Sequence, residues 1–235
     1  MRCVGVDLAA KASATSLATL EWGDRPRVVD LLGTATDDEI VAACDGADAI
    51  GIDAPFGWPD AFVDFVAGHH RGADVVYDTD TTDLRLRVTD RVVWERTRKV
   101  PLSVSTDKIG IVAFRCAHLL GRLRGPGFAR HGADGVFEVY PGGALAMWGL
   151  PSSGYKKRGA DREAVRATII DALEAVVEFG DFRGAALDSD DDLDAVMSAL
   201  IAGLAQRGRT IRPDADQSAA AEREGWIHLP ADALA

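Results

Sequence analysis

The amino-acid sequence predicts an α/β fold in which a mixed sheet of five strands has flanking helices and an insertion after its fourth strand. Short apolar runs bounded by turn residues alternate with longer segments whose apolar residues recur every three or four positions, and this contrast separates strands from helices. No repeat or linker divides the chain, and 47% of its 235 residues are hydrophobic. We therefore expect a single domain over residues 1–235, with the insertion at about 55–105.

The first part of the chain contains four strand candidates and one helix. Apolar runs at 2–8, 14–22 and 27–32 follow one another closely, and the turn sequence Gly-Asp-Arg-Pro separates the last two. These runs predict an antiparallel meander. Thr36 and the two acids after it predict the start of a helix that ends near residue 44. The run at 49–53 is apolar throughout, as expected of a strand covered by helices on both faces.

Periodicity weakens after the fourth strand and then returns. The insertion contains one predicted short helix, at 59–67, and a Thr/Asp-rich stretch at 77–83. Beyond it, the apolar spacing predicts helices at 107–123, 161–179 and 190–206, a strand at 135–140, and a short strand in EGWIHLP near the end.

Acidic residues stand where three of these elements begin or end. Asp7 closes the first strand, Asp53 closes the fourth, and a run of aspartates opens the helix at 190–206. If the two strands are parallel neighbours, Asp7 and Asp53 lie side by side. Carboxylates held this close raise one another's pKa unless a cation lies between them, and oxygen ligands suit Mg²⁺ or Mn²⁺. The alternative is that these aspartates only close turns or cap the helix.

Within the acidic run, Asp191 and Asp194 are three residues apart and share one helical face. We therefore interpret Asp7, Asp53, Asp191 and Asp194 as catalytic, with Asp7, Asp53 and Asp194 as metal ligands. Asp190 and Asp192 are better explained as caps of the helix. The histidines and the three cysteines form no zinc motif, and we expect the cysteines to be buried, reduced thiols.

The charge is distributed unevenly along the chain. The net charge is −11, but residues 85–158 contain 14 Lys and Arg against 5 Asp and Glu, a balance of +9. Such a segment is suited to a phosphate backbone, so nucleic acid is the expected partner; a solvated surface is the alternative. The candidate substrate-binding residues are Arg87, Arg91, Lys108, Glu138 and Lys156. Glu138 is predicted to lie mid-strand, where it is either solvent-facing or functional.

No apolar run approaches the roughly 20 residues that span a bilayer, and the first residues lack a signal-peptide pattern. We expect a cytoplasmic protein that does not enter a membrane. The sequence does not indicate its oligomeric state.

Four segments together resemble one protein family. They are VGVDLA, GIDAPFG, EVYPGGALAMWG and DDDLDAVMSALIAGL. Their combination is similar to the family catalogued as domain of unknown function 429, which is regarded as a predicted ribonuclease H-like nuclease group, and it covers essentially the whole chain. The order of predicted elements is also that of the ribonuclease H-like fold.

The resemblance implies roles for particular residues. Asp7 corresponds to the strand-end aspartate that bridges two metal ions in ribonuclease H-like enzymes. Asp194 and Ala195 resemble the Asp-x-x-Asp-Ala arrangement in the last helix of Holliday-junction resolvases of the same superfamily. The chain departs from many of these enzymes because its first helix has no obvious catalytic glutamate, and Glu138 is the expected substitute.

We thus expect a nuclease that hydrolyses phosphodiester bonds of DNA or RNA with two Mg²⁺ or Mn²⁺ ions about 4 Å apart. Two alternatives remain open. One is a non-catalytic scaffold or small-molecule binding protein on the same fold. The other is an ATP-dependent phosphotransferase of the actin and sugar-kinase type, which opens with a similar strand and hairpin.

Overall fold

The computed structural model describes residues 1–75, 80–125, 127–156 and 159–234. Residues 77–79 of the Thr/Asp-rich stretch, and Lys157 and Arg158 of the basic segment, lie outside the described residues. The strands are Arg2–Asp7 (β1), Ser16–Trp22 (β2), Pro26–Leu32 (β3), Ala49–Asp53 (β4), Val136–Val139 (β5) and Ile227–His228 (β6). The α-helices in the described part of the chain are Asp37–Cys44 (α1), Asp60–His70 (α2), Thr82–Arg85 (α3), Val88–Thr97 (α4), Ile109–Arg124 (α5), Pro141–Met147 (α6), Ala160–Leu173 (α7), Arg183–Asp188 (α8), Asp190–Gln206 (α9) and Ser218–Glu224 (α10).

The strands form one mixed sheet in the order β3-β2-β1-β4-β5-β6. The first three are antiparallel, as predicted, and β1, β4, β5 and β6 run parallel to one another. The sheet has six strands, so the prediction of five was wrong. The sixth is the short strand in EGWIHLP, which pairs with β5 through Glu138–Ile227 and Val139–His228. Because β6 has only two residues, its sequence shows no periodicity from which a partner strand can be predicted.

Most predicted helices are present with small changes in their ends. Thr36 caps α1 in a reciprocal capping box with Glu39, and α9 spans the predicted residues. The helix predicted at 161–179 is shorter, because α7 ends at Leu173. The apolar pattern continues beyond it, but the backbone of Glu178 exchanges hydrogen bonds with Pro26 and Val28 at the edge strand β3. Sheet pairing therefore replaces the last turns of the helix.

The region predicted as an insertion, 55–105, contains α2, α3 and α4. α2 continues to His70, three residues past its predicted end. The sequence did not predict α4, whose buried positions include the polar residues Thr89 and Asp90 beside Val93. A helix that buries polar groups gives a weak apolar stripe, and the periodicity argument consequently fails there.

Two layers of helices cover the sheet. One core lies between the sheet and α9, with α6, α7 and α8 contributing to it, and the other lies between the sheet and α1 and α5. The three cysteines are buried and free, as predicted. Burial raises the pKa of the Cys3 and Cys44 thiols to about 12. Within the described residues, no helix combines the length and the apolar character needed to cross a membrane.

The packing of α9 on the sheet depends on two strand glycines. A Cβ atom at Gly5 would lie 2.1 Å from the carbonyl oxygen of Ala195, and one at Gly51 would lie 2.3 Å from that of Ser198. Both distances are far below van der Waals contact with a backbone atom. The helix therefore lies directly against β1 and β4, where a side chain at either glycine would hold it away.

Gly5→Ala is expected to destabilise the protein by about 3 kcal/mol, because helix backbone cannot move as a flexible side chain does. Gly121→Ala is the matched control: Gly121 lies in α5 and its added Cβ would meet nothing within 4 Å. That change should be neutral or stabilising by up to about 1 kcal/mol. Urea unfolding of the three proteins measures both values, and equal stability of Gly5→Ala and wild type would contradict the packing.

Candidate metal centre

Asp7 and Asp53 lie side by side at the carboxyl ends of two parallel strands. The β1–β4 register pairs Asp7 with Asp53 and Gly5 with Gly51. Because side chains alternate along a strand, the two aspartates face the same side of the sheet as the two glycines, and α9 covers that side. This confirms the prediction that Asp7 and Asp53 lie side by side.

The third carboxylate comes from α9. Near its start, α9 contacts Ser16, the β2 partner of Asp7, whereas Gly203 near its end packs on Trp22 at the other end of β2, so the N-terminus of the helix points to the carboxyl ends of β1 and β4. Asp194 is fully buried there. Oxygen atoms of Asp7, Asp53 and Asp194 all lie within 4.8 Å of one another. The three residues predicted as metal ligands are thus gathered in one cluster.

Burial and mutual repulsion keep protons on this cluster. The pKa of Asp7 is raised well above its ordinary value, first by burial and then by the charges of Asp194 and Asp53. Burial also raises the pKa of Asp53 to about 7. The pKa of Asp194 is raised by burial as well, although Lys156 and Tyr155 oppose the shift. The metal-free cluster therefore retains protons at a pH where ordinary aspartates are charged.

Two residues before α7 contact the buried Asp194. The Nζ atom of Lys156 lies 2.6 Å from one carboxylate oxygen, and the Tyr155 hydroxyl donates to the other at 3.0 Å. Lys156 is half exposed, whereas Tyr155 is buried. The lysine, predicted as a substrate contact, thus reaches the carboxylates from the solvent side. Tyr155 was not predicted, because an isolated tyrosine in a loop carries no spacing signal.

The other aspartates of the acidic run have separate roles. Asp191 is partly buried and shares a side-chain hydrogen bond with Asp7, so it adjoins the cluster as predicted. Asp192 accepts a 2.6 Å hydrogen bond from Ser16, the β2 residue that pairs with Asp7, and is not one of the three clustered carboxylates. The residue that caps α9 is Ser189, whose side chain accepts from the backbone N–H of Asp192. The predicted capping role of Asp192 is therefore replaced by a contact with the sheet.

Arg166, a buried residue of α7, joins the two chain segments that carry the cluster. Its guanidinium donates to the carbonyl oxygens of Tyr155 at 2.7 Å, Leu187 at 2.6 Å and Asp188 at 3.3 Å. It fixes the loop before Lys156 to the residues that lead into α9. A lone arginine in an amphipathic helix resembles a surface residue in sequence, so it was not predicted.

Arg87 and Glu138, both predicted to bind substrate, form a buried ion pair instead. All five N–H donors of Arg87 are engaged by Asp90, Glu138 and the carbonyl of Glu224. Glu138 pairs in register with Ile52 rather than Asp53, which places it on the opposite face of the sheet from the cluster. It also accepts from the backbone N–H of Phe56. In the structure, both side chains are buried and bonded to other groups of the protein, so they are not brought to the carboxylate cluster.

The remaining predicted substrate contacts lie on the surface. Arg91 is ion-paired with Asp83, and Lys108 is exposed just before α5. Two other arginines of the basic segment contact acids of α1: Arg115 pairs with Asp37, and Arg122 with Asp38. Part of the positive charge between 85 and 158 therefore serves contacts within the protein.

The cluster has the composition of a site for a hard divalent cation. Ligands at about 2.1 Å from Mg²⁺ lie at most about 4.2 Å apart, and those of larger cations lie slightly farther apart. The spread of 4.8 Å among the oxygens of Asp7, Asp53 and Asp194 is close to this range. Burial first, and mutual repulsion second, raise the pKa values of these carboxyl groups, and a bound cation would offset both effects. The residues therefore fit Mg²⁺ or Mn²⁺.

The comparison with protein families agrees with the sequence motifs. Residues 5–218 match the family described as Protein of unknown function (DUF429). The chain belongs to this family. The match includes Asp7, Asp53 and Asp194, as well as Lys156. No curated protein and no solved structure matches the chain.

The shifted pKa of Asp53 predicts how stability depends on pH without metal. Its folded-state pKa is about 7 and its unfolded value is near 4, so the folded state binds the extra proton and loses stability as pH rises between these values. Asp53→Asn removes this loss. The variant should gain about 1–3 kcal/mol relative to wild type between pH 5 and pH 8.

The measurement is urea unfolding in EDTA at both pH values. His228, whose pKa is lowered to about 4 by burial, contributes the opposite slope below about 6.5 and is present in both proteins. The difference between wild type and variant therefore excludes His228 and reports the titration of Asp53 together with its effect on Asp7. A difference that does not change with pH would show that Asp53 titrates normally.

Arg166→Met is expected to destabilise the protein by about 2–4 kcal/mol, because buried carbonyl groups lose a charged donor. Arg162→Met is the matched control on the same helix, since Arg162 is exposed and its guanidinium donates to the carbonyl oxygen of Gly154. The control should change stability by less than about 0.5 kcal/mol. Thermal unfolding of both variants measures the difference. Similar losses of stability in the two variants would contradict the role of Arg166 in joining the two segments.

Proposed function

We propose that the protein is a Mg²⁺- or Mn²⁺-dependent nuclease with a ribonuclease H-like fold that hydrolyses phosphodiester bonds of DNA or RNA. The observation that carries the proposal is the convergence of Asp7, Asp53 and Asp194 at one edge of the sheet. The order of elements along the chain supports the fold assignment, since three antiparallel strands, a helix and a parallel strand precede the inserted helices. The free, buried cysteines are in keeping with a cytoplasmic location.

The three carboxylates would hold the metal, and Asp191 would adjoin it through Asp7. A divalent cation bound there would lower the pKa of water and stabilise negative charge on phosphate oxygens. The protein's own residues contribute orientation and charge. The Tyr155 hydroxyl fixes the position of the Asp194 carboxylate, and the half-exposed ammonium of Lys156 lies where it would contact a substrate phosphate.

The basic segment would supply further contacts to the nucleic acid. Arg85, Arg96 and Arg98 are exposed on or beside α3 and α4, and Lys108 is exposed before α5. Each phosphate contact releases counterions, so binding should weaken steeply with salt.

A non-catalytic binding protein is the second candidate. The observation that favours it is the ion pair between Lys156 and Asp194, which neutralises part of the cluster's charge from within the chain. A protein that had lost its metal would be stabilised by such a contact.

The nuclease proposal predicts Mn²⁺-dependent cleavage of at least one member of a labelled panel of single- and double-stranded DNA, RNA, hybrid and four-way junction. Asp194→Asn should lower the rate by more than the roughly 10- to 100-fold loss caused by removing a residue that only orients a metal ligand. Asp192→Asn is the matched control, because it makes the same change in the same helix at a carboxylate that is not among the three clustered ones.

Cleavage by the wild type and the control, and none by Asp194→Asn or in EDTA, supports the nuclease. If the folded wild type binds Mn²⁺ and cuts no member of the panel, the second candidate is favoured. Cleavage that survives Asp194→Asn would show that another site or a contaminant is responsible.

A further inference from the structure

An apolar groove lies between α2 and α5. We call it the α2–α5 groove; it encloses about 590 Å³ and is lined mainly by Trp58, Phe62, Val63, Val66, Ile111 and Phe114. Four of these side chains are at least 47% exposed: Val63, Val66, Ile111 and Phe114. Contiguous exposed apolar surface of this kind is uncommon on a monomeric protein and marks a binding surface.

Two aromatic rings in the groove are already stacked. The rings of Trp58 and Phe114 lie 5.8 Å apart with an interplanar angle of 29°. Phe114 is 67% exposed, so the stack is open to a further flat group. Nucleobases bind to protein aromatic rings in this way, and every base offers a face for stacking.

Short connections join the groove to the carboxylates. Trp58 follows Asp53 by five residues, a length of chain that spans at most about 18 Å. On the other side, Arg115 follows Phe114 and donates to the carbonyl oxygen of Ala9 at 2.7 Å, two residues beyond Asp7. A strand bound at the cluster therefore needs only a few nucleotides to reach the groove.

A lysine and an aspartate lie beside the apolar part of the groove. Lys108 is exposed one turn before Ile111, and His70 lines the groove at the end of α2. Asp107 is the acid among the lining residues, and one of its oxygens accepts from the backbone N–H of Ser103. Lys108 is thus placed to contact a phosphate beside an uncharged surface for bases.

We propose that the α2–α5 groove binds unpaired bases, and hence that the substrate is single-stranded nucleic acid or an unpaired segment within a larger one. In a duplex the faces of the bases are covered by their neighbours and cannot stack on Phe114. The proposal rests on the proposed nuclease function, since it is the strand held at the carboxylates that reaches the groove. It specifies that the bound part of the substrate is single-stranded, which the carboxylates alone do not indicate.

The test is fluorescence anisotropy with labelled oligonucleotides of about ten nucleotides, single-stranded and duplex, at low salt in EDTA. Single strands should bind more tightly than duplex, and Phe114→Ala should weaken single-strand binding roughly 5- to 100-fold. Trp94→Ala is the matched control, because Trp94 is an exposed aromatic residue of α4 outside the groove lining. It should leave the affinity within about 2-fold of wild type.

Equal losses in both variants, an unchanged affinity in Phe114→Ala, or a preference for duplex would overturn the groove proposal. So would a dimer that Phe114→Ala converts to a monomer, since the groove would then be an interface between two copies. Because binding is measured without metal, it is independent of cleavage. Single-strand binding that depends on Phe114, without cleavage, supports the groove proposal and rejects the nuclease proposal. Cleavage that Phe114→Ala leaves unchanged supports the nuclease proposal and rejects the groove proposal.

Discussion

The close approach of α9 to β1 and β4 is the constraint on which the rest of the structure depends. Gly5 and Gly51 leave no side chain between the helix backbone and the strands, and each precedes a strand-end aspartate by two residues. The same two-residue period that turns the glycines toward the helix turns Asp7 and Asp53 toward it as well. Asp194 then reaches both from the beginning of α9. Packing and site are thus consequences of one pattern, Gly-x-Asp, that occurs on two neighbouring strands.

This arrangement has an electrostatic cost that the protein offsets only in part. Three carboxylates within 4.8 Å repel one another, and burial removes the water that would screen them. Lys156 and the Tyr155 hydroxyl stabilise Asp194, and Arg166 holds the chain that bears them. The pKa values of Asp7 and Asp53 nevertheless remain raised. A cluster preorganised in this way would bind a divalent cation at the expense of protons.

The sequence predicted the parts of the molecule whose periodicity is clear. The meander, α1, α9 and the pairing of Asp7 with Asp53 are confirmed, because strand ends and helix caps have local signals. It failed where long-range contacts decide the structure. α4 and the buried ion pair of Arg87 with Glu138 depend on residues 51 positions apart, and the pairing of β6 with β5 depends on a strand of two residues. The repeated Gly-x-Asp is visible in the sequence and indicates that another backbone segment approaches both strands on the side of the two aspartates.

The most direct test of the central claim, that Asp7, Asp53 and Asp194 form a metal centre, is calorimetric titration with Mn²⁺ at pH 6 in buffers of different ionisation enthalpy. Wild type should bind Mn²⁺ and release protons, because the raised pKa values leave the metal-free carboxyl groups protonated at this pH. Asp194→Asn should abolish that binding. The absence of Mn²⁺ binding to the folded wild type, or equal binding by Asp194→Asn, would contradict the account.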